Sequence, residues 1–164
     1  MPVFKIEGRG RASDYVFTTT QCYREAIDAI GTAAFNENAI TNWKERLSTV
    51  FNRGFWDGYY LGRQMGEWSN VPGSVSSQKK IYIAKGLHYY DKIGVAEFNC
   101  EAYGLKVGDK VIVTGPTTGY IETEVQSIHI ESGAVDEIQK GQIFSIPLPE
   151  KIRASDKLYK IVPA

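Results

Sequence analysis

The sequence predicts an α+β chain, helical in its first third and closing its second half into a small six-stranded β-barrel. Three observations point there. Apolar residues recur at three- and four-residue steps up to about residue 50, short β runs punctuated by glycine follow Lys79, and no helical pattern interrupts those runs. Closure is expected because it removes the exposed edges that so many short strands would otherwise present.

Val3 to Glu7 alternate, with Phe4 and Ile6 on one face, and Gly8-Arg9-Gly10 ends this short strand with a change of direction. Ser13 is the expected cap of a first helix, and Asp14 faces the positive end of its dipole. Val16, Thr20, Tyr23, Ile27 and Ile30 form its stripe, and Gly31 stops it. Ile40, Trp43, Leu47 and Val50 repeat the pattern in a second helix, capped by Asn38 or Thr41 and ending near Asn52-Arg53-Gly54. From Arg53 to Gly62, glycines are interleaved with large rings that must pack on something. Gly66 to Gln78 is rich in Ser, Asn, Gly and Pro and reads as a linker. The domain division is therefore 1–65 helical, 66–78 linker and 79–164 barrel. Expected strands run from Lys80 to Lys85, Ile93 to Tyr103, Lys110 to Thr114, Tyr120 to Ile130, Gln142 to Ile146 and Leu158 to Val162.

Nineteen basic and nineteen acidic side chains cancel, so no global field draws the chain to nucleic acid or an anionic membrane, and any such binding must be local. No apolar run approaches a bilayer span, and the start lacks a signal peptide's apolar stretch, so a soluble, cytoplasmic protein is expected. Cys22 and Cys100 stand too far apart in sequence for a zinc pair and read as reduced core thiols. His88 and His129 have no His, Asp or Glu at i+4 within a helical pattern, so a helical metal site is not expected. His129 reads as a partly buried strand residue. No metal and no cofactor is expected in this chain.

Two stretches carry a family resemblance. Phe4-Lys5-Ile6-Glu7-Gly8-Arg9, Tyr15-Val16, Tyr23 to Asp28, and Asn52-Arg53-Gly54-Phe55 with Gly58 and Tyr60-Leu61-Gly62 together resemble peptidase family U32. Gly94-Val95, Gly108 to Val111, Val125 to Ile128 and Ile138 to Gln142 look like the C-terminal barrel of that family, itself similar to domain 2 of translation elongation factors. The resemblance implies that the first segment ends a parent α/β barrel, and that the missing partner is a large N-terminal catalytic domain. In several family members that domain carries a cysteine-ligated iron–sulfur cluster, for which this chain has too few cysteines. Relatives include collagenase-like proteases and proteins that help hydroxylate transfer RNA, ribosomal RNA or the ubiquinone ring.

Lys5, Glu7 and Arg9 are the candidate catalytic residues of the parent: alternation sends them to one side, where a cation, a carboxylate and a guanidinium can bind an anion and move protons. The competing reading is an ion-pair cluster at a barrel rim. Arg53, Phe55, Trp56, Tyr59, Tyr60 and Arg63 are the candidate binding residues, with rings to stack bases and arginines to hold phosphates, or else rings that pack at a domain interface. The expected function is a non-catalytic C-terminal module that docks on the catalytic domain and helps bind a macromolecular substrate, transfer or ribosomal RNA. The alternatives are part of a collagenase-like protease and a module that forms homo-oligomers.

Overall fold

Residues 4–7 alternate as a strand should, yet they form none in the computed structural model, which describes residues 4–55 and 73–164. A strand exists only where a neighbour completes its ladder, and no described segment pairs with this one. The chain divides into two compact units, Met1–Gln78 with Ala164, and Lys79–Pro163.

In the first unit, Gly8-Arg9-Gly10-Arg11 is a tight turn. The Arg11 N–H donates to the Gly8 carbonyl at 3.0 Å, and Gly10 sits at φ +70°, the left-handed region that type II turns demand at their third residue. Gly10→Ala is expected to cost about 1 kcal/mol, read as faster hydrogen exchange of the Arg11 amide.

Helix α1 spans Ser13–Ala29. Its N-cap is Ala12, which has no side-chain acceptor, so Ser13 is already helical rather than capping. Helix α2 spans Glu37–Ser48 and is capped by Asn36, whose side chain accepts from the Ala39 N–H at 3.1 Å. The expected caps, Asn38 and Thr41, lie inside this helix, and the backbone from Thr49 to Asn52 is no longer helical.

The α1 face that packs inward is also displaced from expectation. Thr19, Cys22 and Ala29 are buried, whereas Val16, Tyr23 and Ile30 are exposed, Ile30 by 65%. Glu25 bridges α1 and α2: it accepts from Trp43 Nε1 at 3.0 Å and from the Arg46 guanidinium at 2.5 and 3.1 Å.

The second unit contains β1 (Gln78–Tyr90), β2 (Val95–Cys100), β3 (Leu105–Lys106), β4 (Lys110–Gly115), β5 (Gly119–Glu124), β6 (Ile128–Ile130), β7 (Gly133–Val135), β8 (Glu137–Ile138), β9 (Ile143–Pro147) and β10 (Lys157–Pro163). Eight of these ten strands, not six, form one sheet in the order β5-β4-β10-β1-β2-β9-β6-β7, and β3 pairs with β8. The ladders between β1 and β2, β2 and β9, β4 and β5, and β4 and β10 are all antiparallel. The sheet curls around a single core: Ile121 from β5 and Ile128 from β6, near opposite ends of the order, lie in one cluster with Ile83, Phe98 and Phe144. The Val107 N–H donates to the Asp136 carbonyl at 2.9 Å, extending the β3–β8 pairing. This is the barrel that the resemblance implied.

The long run expected from Tyr120 to Ile130 is broken. After β5 the Val125 N–H donates to Asp109 at 3.0 Å, still beside β4, whereas His129 of β6 already pairs with Ser145 of β9. Among the described residues no helix is long and apolar enough to cross a membrane.

Candidate functional site

The turn before α1 and the backbone after α2 meet in the first unit and enclose a groove of about 410 Å³, lined among others by Arg9, Arg11, Tyr15, Thr19, Phe51 and Arg53. Each piece is set by local structure. The Gly8–Arg11 turn displays Arg9 and Arg11 at the start of α1. The Arg11 guanidinium lies over the Phe51 ring at 3.6 Å from its centroid, with Tyr15 at 5.9 Å. Such stacking uses the face of the guanidinium and leaves its in-plane N–H groups able to donate. Asn52 shapes the other wall: its side-chain amide donates to Ser48 and Val50 carbonyls at 3.2 and 2.9 Å, and its oxygen accepts from the Gly54 N–H at 3.1 Å. Arg53 is thereby held between two fixed neighbours.

Arg9, Arg11 and Arg53 make no ion pair with any described residue. Glu7 also lines the groove, and its charge is offset by Lys5, whose Nζ lies 3.4 Å from it. The local excess is therefore cationic, in a chain whose total charge is zero. At the wall formed by α1, Thr19 is 6% exposed and its hydroxyl has no hydrogen-bond partner among the described residues. A mid-helix threonine ordinarily returns its hydroxyl to the preceding turn.

The two clusters expected from sequence thus come together in part. Glu7, Arg9, Arg53 and Phe55 share the groove. Lys5 does not line it and is 85% exposed, so the expected trio is divided into an ion pair and a separate arginine. Trp56, Tyr59, Tyr60 and Arg63 lie outside the described residues. Arg11, Tyr15, Thr19 and Phe51 were not singled out by sequence reasoning as site residues, although Tyr15 belongs to the family resemblance. The only local hint was the second arginine of Gly8-Arg9-Gly10-Arg11.

Other chemistry is less favoured. Burial is the main influence on both Cys22 and Cys100 and pushes each thiol up, which suits packing rather than nucleophilic attack. An iron–sulfur cluster requires several thiolates in one place. These two cysteines belong to different units, so the residues described do not fit such a group. His129 is exposed rather than partly buried.

These features define a class: a short helical unit with an arginine- and ring-lined groove, followed by a small antiparallel barrel. Residues 1–70 match the model of peptidase family U32. Over 158 residues the chain is 52% identical to a collagenase of Porphyromonas gingivalis, covering 96% of this chain but 38% of that protein. Over 61 residues it is 41% identical to the tRNA hydroxylation protein P of Helicobacter pylori, covering 36% of this chain and 13% of that protein. Among solved structures, the C-terminal domain of a Geobacillus thermoleovorans protein described as a U32 peptidase matches 48% of this chain and 96% of its own, at 19% identity and a TM-score of 0.45. The chain is a member of peptidase family U32, and it spans under half the length of these curated relatives.

Proposed function

We propose that this chain is the C-terminal, non-catalytic module of a U32 protein, and that it docks on a catalytic domain and helps hold a structured RNA, transfer or ribosomal, in the cytoplasm. The groove carries this reading. Three arginines without a carboxylate partner among the described residues, interleaved with rings, are what a protein uses to neutralise phosphates and stack bases. The match to a tRNA hydroxylation protein over 61 residues, 36% of this chain, supports the class of the RNA. Docking is supported by the large apolar side chains exposed on and beside one face of α1, Val16, Tyr23 and Ile30, joined by Phe4. Monomeric proteins seldom expose so many large apolar groups close together.

Gel-shift titration with unmodified transfer RNA tests the RNA reading. Binding should weaken steeply between 50 and 200 mM salt, by about tenfold or more for a few phosphate contacts. Absence of salt-sensitive binding by both this chain and a full-length parent would remove it. The collagenase relative favours one rival, a protease whose site includes Glu7. That rival expects the parent to cleave gelatin and to lose the activity in Glu7→Gln without unfolding.

A further inference from the structure

We infer that the groove is a seat for a single phosphate of an RNA strand, gripped by Arg11 with Arg9 and Arg53 and completed by the hydroxyl of Thr19. The inference rests on the RNA-holding reading and gives it an atomic site.

Four observations converge on it. Thr19 is almost fully buried, lines the groove, and has an unpartnered hydroxyl, so a donor inside the protein lacks an acceptor. Leaving such a group unsatisfied is costly, and a bound phosphate oxygen would supply what is missing. Arg11 is fixed by the Phe51 ring beneath it, so little side-chain freedom remains to be lost when it binds. The groove opens at the first turn of α1, whose cap Ala12 offers no side-chain oxygen, so the positive end of the helix, offset in part by Asp14 in the same turn, adds to the same potential. Finally, Phe55 lines the groove yet is 57% exposed, which leaves a ring available to the base attached to that phosphate.

Among the described residues Glu7 is the one carboxylate lining this groove, and its pairing with Lys5 moderates its repulsion of an anion. A simple carboxylate ligand would satisfy the arginines but leave Phe55 unused. A nucleotide unit uses both.

The experiment is an NMR titration of the full chain, isotope-labelled, with inorganic phosphate, adenosine, adenosine monophosphate and unmodified transfer RNA as probes. Phosphate and adenosine monophosphate should shift the Arg11 Nε–H and Thr19 methyl signals saturably. The nucleotide should bind about tenfold more tightly than adenosine, because a charge-assisted contact is lost with the phosphate. Arg11→Gln should weaken the nucleotide about tenfold or more, and Thr19→Val, which keeps the shape and deletes the hydroxyl, by several-fold. Unchanged signals from α1 and α2 away from the groove, the Trp43 indole N–H among them, confirm that each variant's first unit remains folded, and Arg53→Gln, at an exposed position, provides a variant with little structural risk. No shift at Arg11 and Thr19 with either phosphate-bearing probe overturns the seat. So does transfer-RNA affinity equal to wild type in all three variants, an outcome that leaves the RNA reading standing. Phosphate binding in the groove without any transfer-RNA binding overturns the RNA assignment instead.

Discussion

Gly115→Ala should lower the stability of the barrel unit by about 3 kcal/mol, among the largest effects of a single methyl group. A Cβ at this position would lie 1.8 Å from Asp156 Oδ1 and 2.4 Å from its Cγ. Asp156 cannot yield cheaply. It is 2% exposed, and its Oδ2 accepts from the Thr118 hydroxyl at 2.5 Å and from the Arg153 N–H at 2.8 Å. Its own carbonyl accepts from the Gly86 N–H at 2.7 Å, tying the approach to β10 onto β1. Displacing it separates a buried charge from its donors and disturbs that backbone link together. Urea unfolding followed by tyrosine absorbance measures the loss. Adding Asp156→Ala should make the double variant less damaged than the two single costs combined, because the clash is gone. A Gly115→Ala protein within 0.5 kcal/mol of wild type would mean the carboxylate has room to move.

How much of this was legible in the sequence differs between the units, for physical reasons. In the barrel, Ala96, Phe98 and Cys100 are buried in strict alternation along β2, and period-two patterning needs no knowledge of the partner strand. The break between β5 and β6 was also written there. Val125 and Ile128 are both buried though three residues apart, a step that one unbroken strand cannot make. The two-residue strands β3 and β8 are too short to show any period. In the helical unit, α1 carries two adjacent stripes. Periodicity favours the larger apolar one, whereas the buried residues are the small ones, Thr19, Cys22 and Ala29, and the link to α2 is the polar Glu25, which an apolar period does not mark. The groove was the least legible feature. Arg11 and Phe51 meet across forty residues of chain, and no local pattern announces a contact between a turn and the exit of a distant helix.

That same join between helices carries the second large effect. Glu25→Gln should destabilise the first unit by about 2 kcal/mol, a figure for charge-assisted hydrogen bonds already reduced for a pair partly open to solvent. The glutamine retains the volume and one acceptor for Trp43 or Arg46, but it cannot neutralise Arg46, whose side chain is only 30% exposed. Among the described residues the unit has few buried apolar side chains to compensate, chiefly Cys22, Ala29 and Val50. Tryptophan fluorescence isolates it, because Trp43, Trp56 and Trp68 all precede residue 79, while the NMR amide signals of the barrel strands follow the second unit. The fluorescence transition should therefore move to lower urea and the loss of the barrel signals should remain in place. The pH dependence has a fixed sign. Hydrogen bonds from Arg46, outweighing burial, hold the Glu25 carboxyl below its ordinary value of 4.5. A depressed carboxyl contributes stability that is fully present above the unfolded value and is lost as pH falls through the folded one. The wild-type advantage over Glu25→Gln should therefore be complete at neutral pH and shrink below about pH 4.5. Since Thr19 and Val50, from either side of this join, both line the groove, the variant should also weaken phosphate binding at pH 7. An advantage that persists undiminished at pH 3 would show that Glu25 acts through packing and not through its charge.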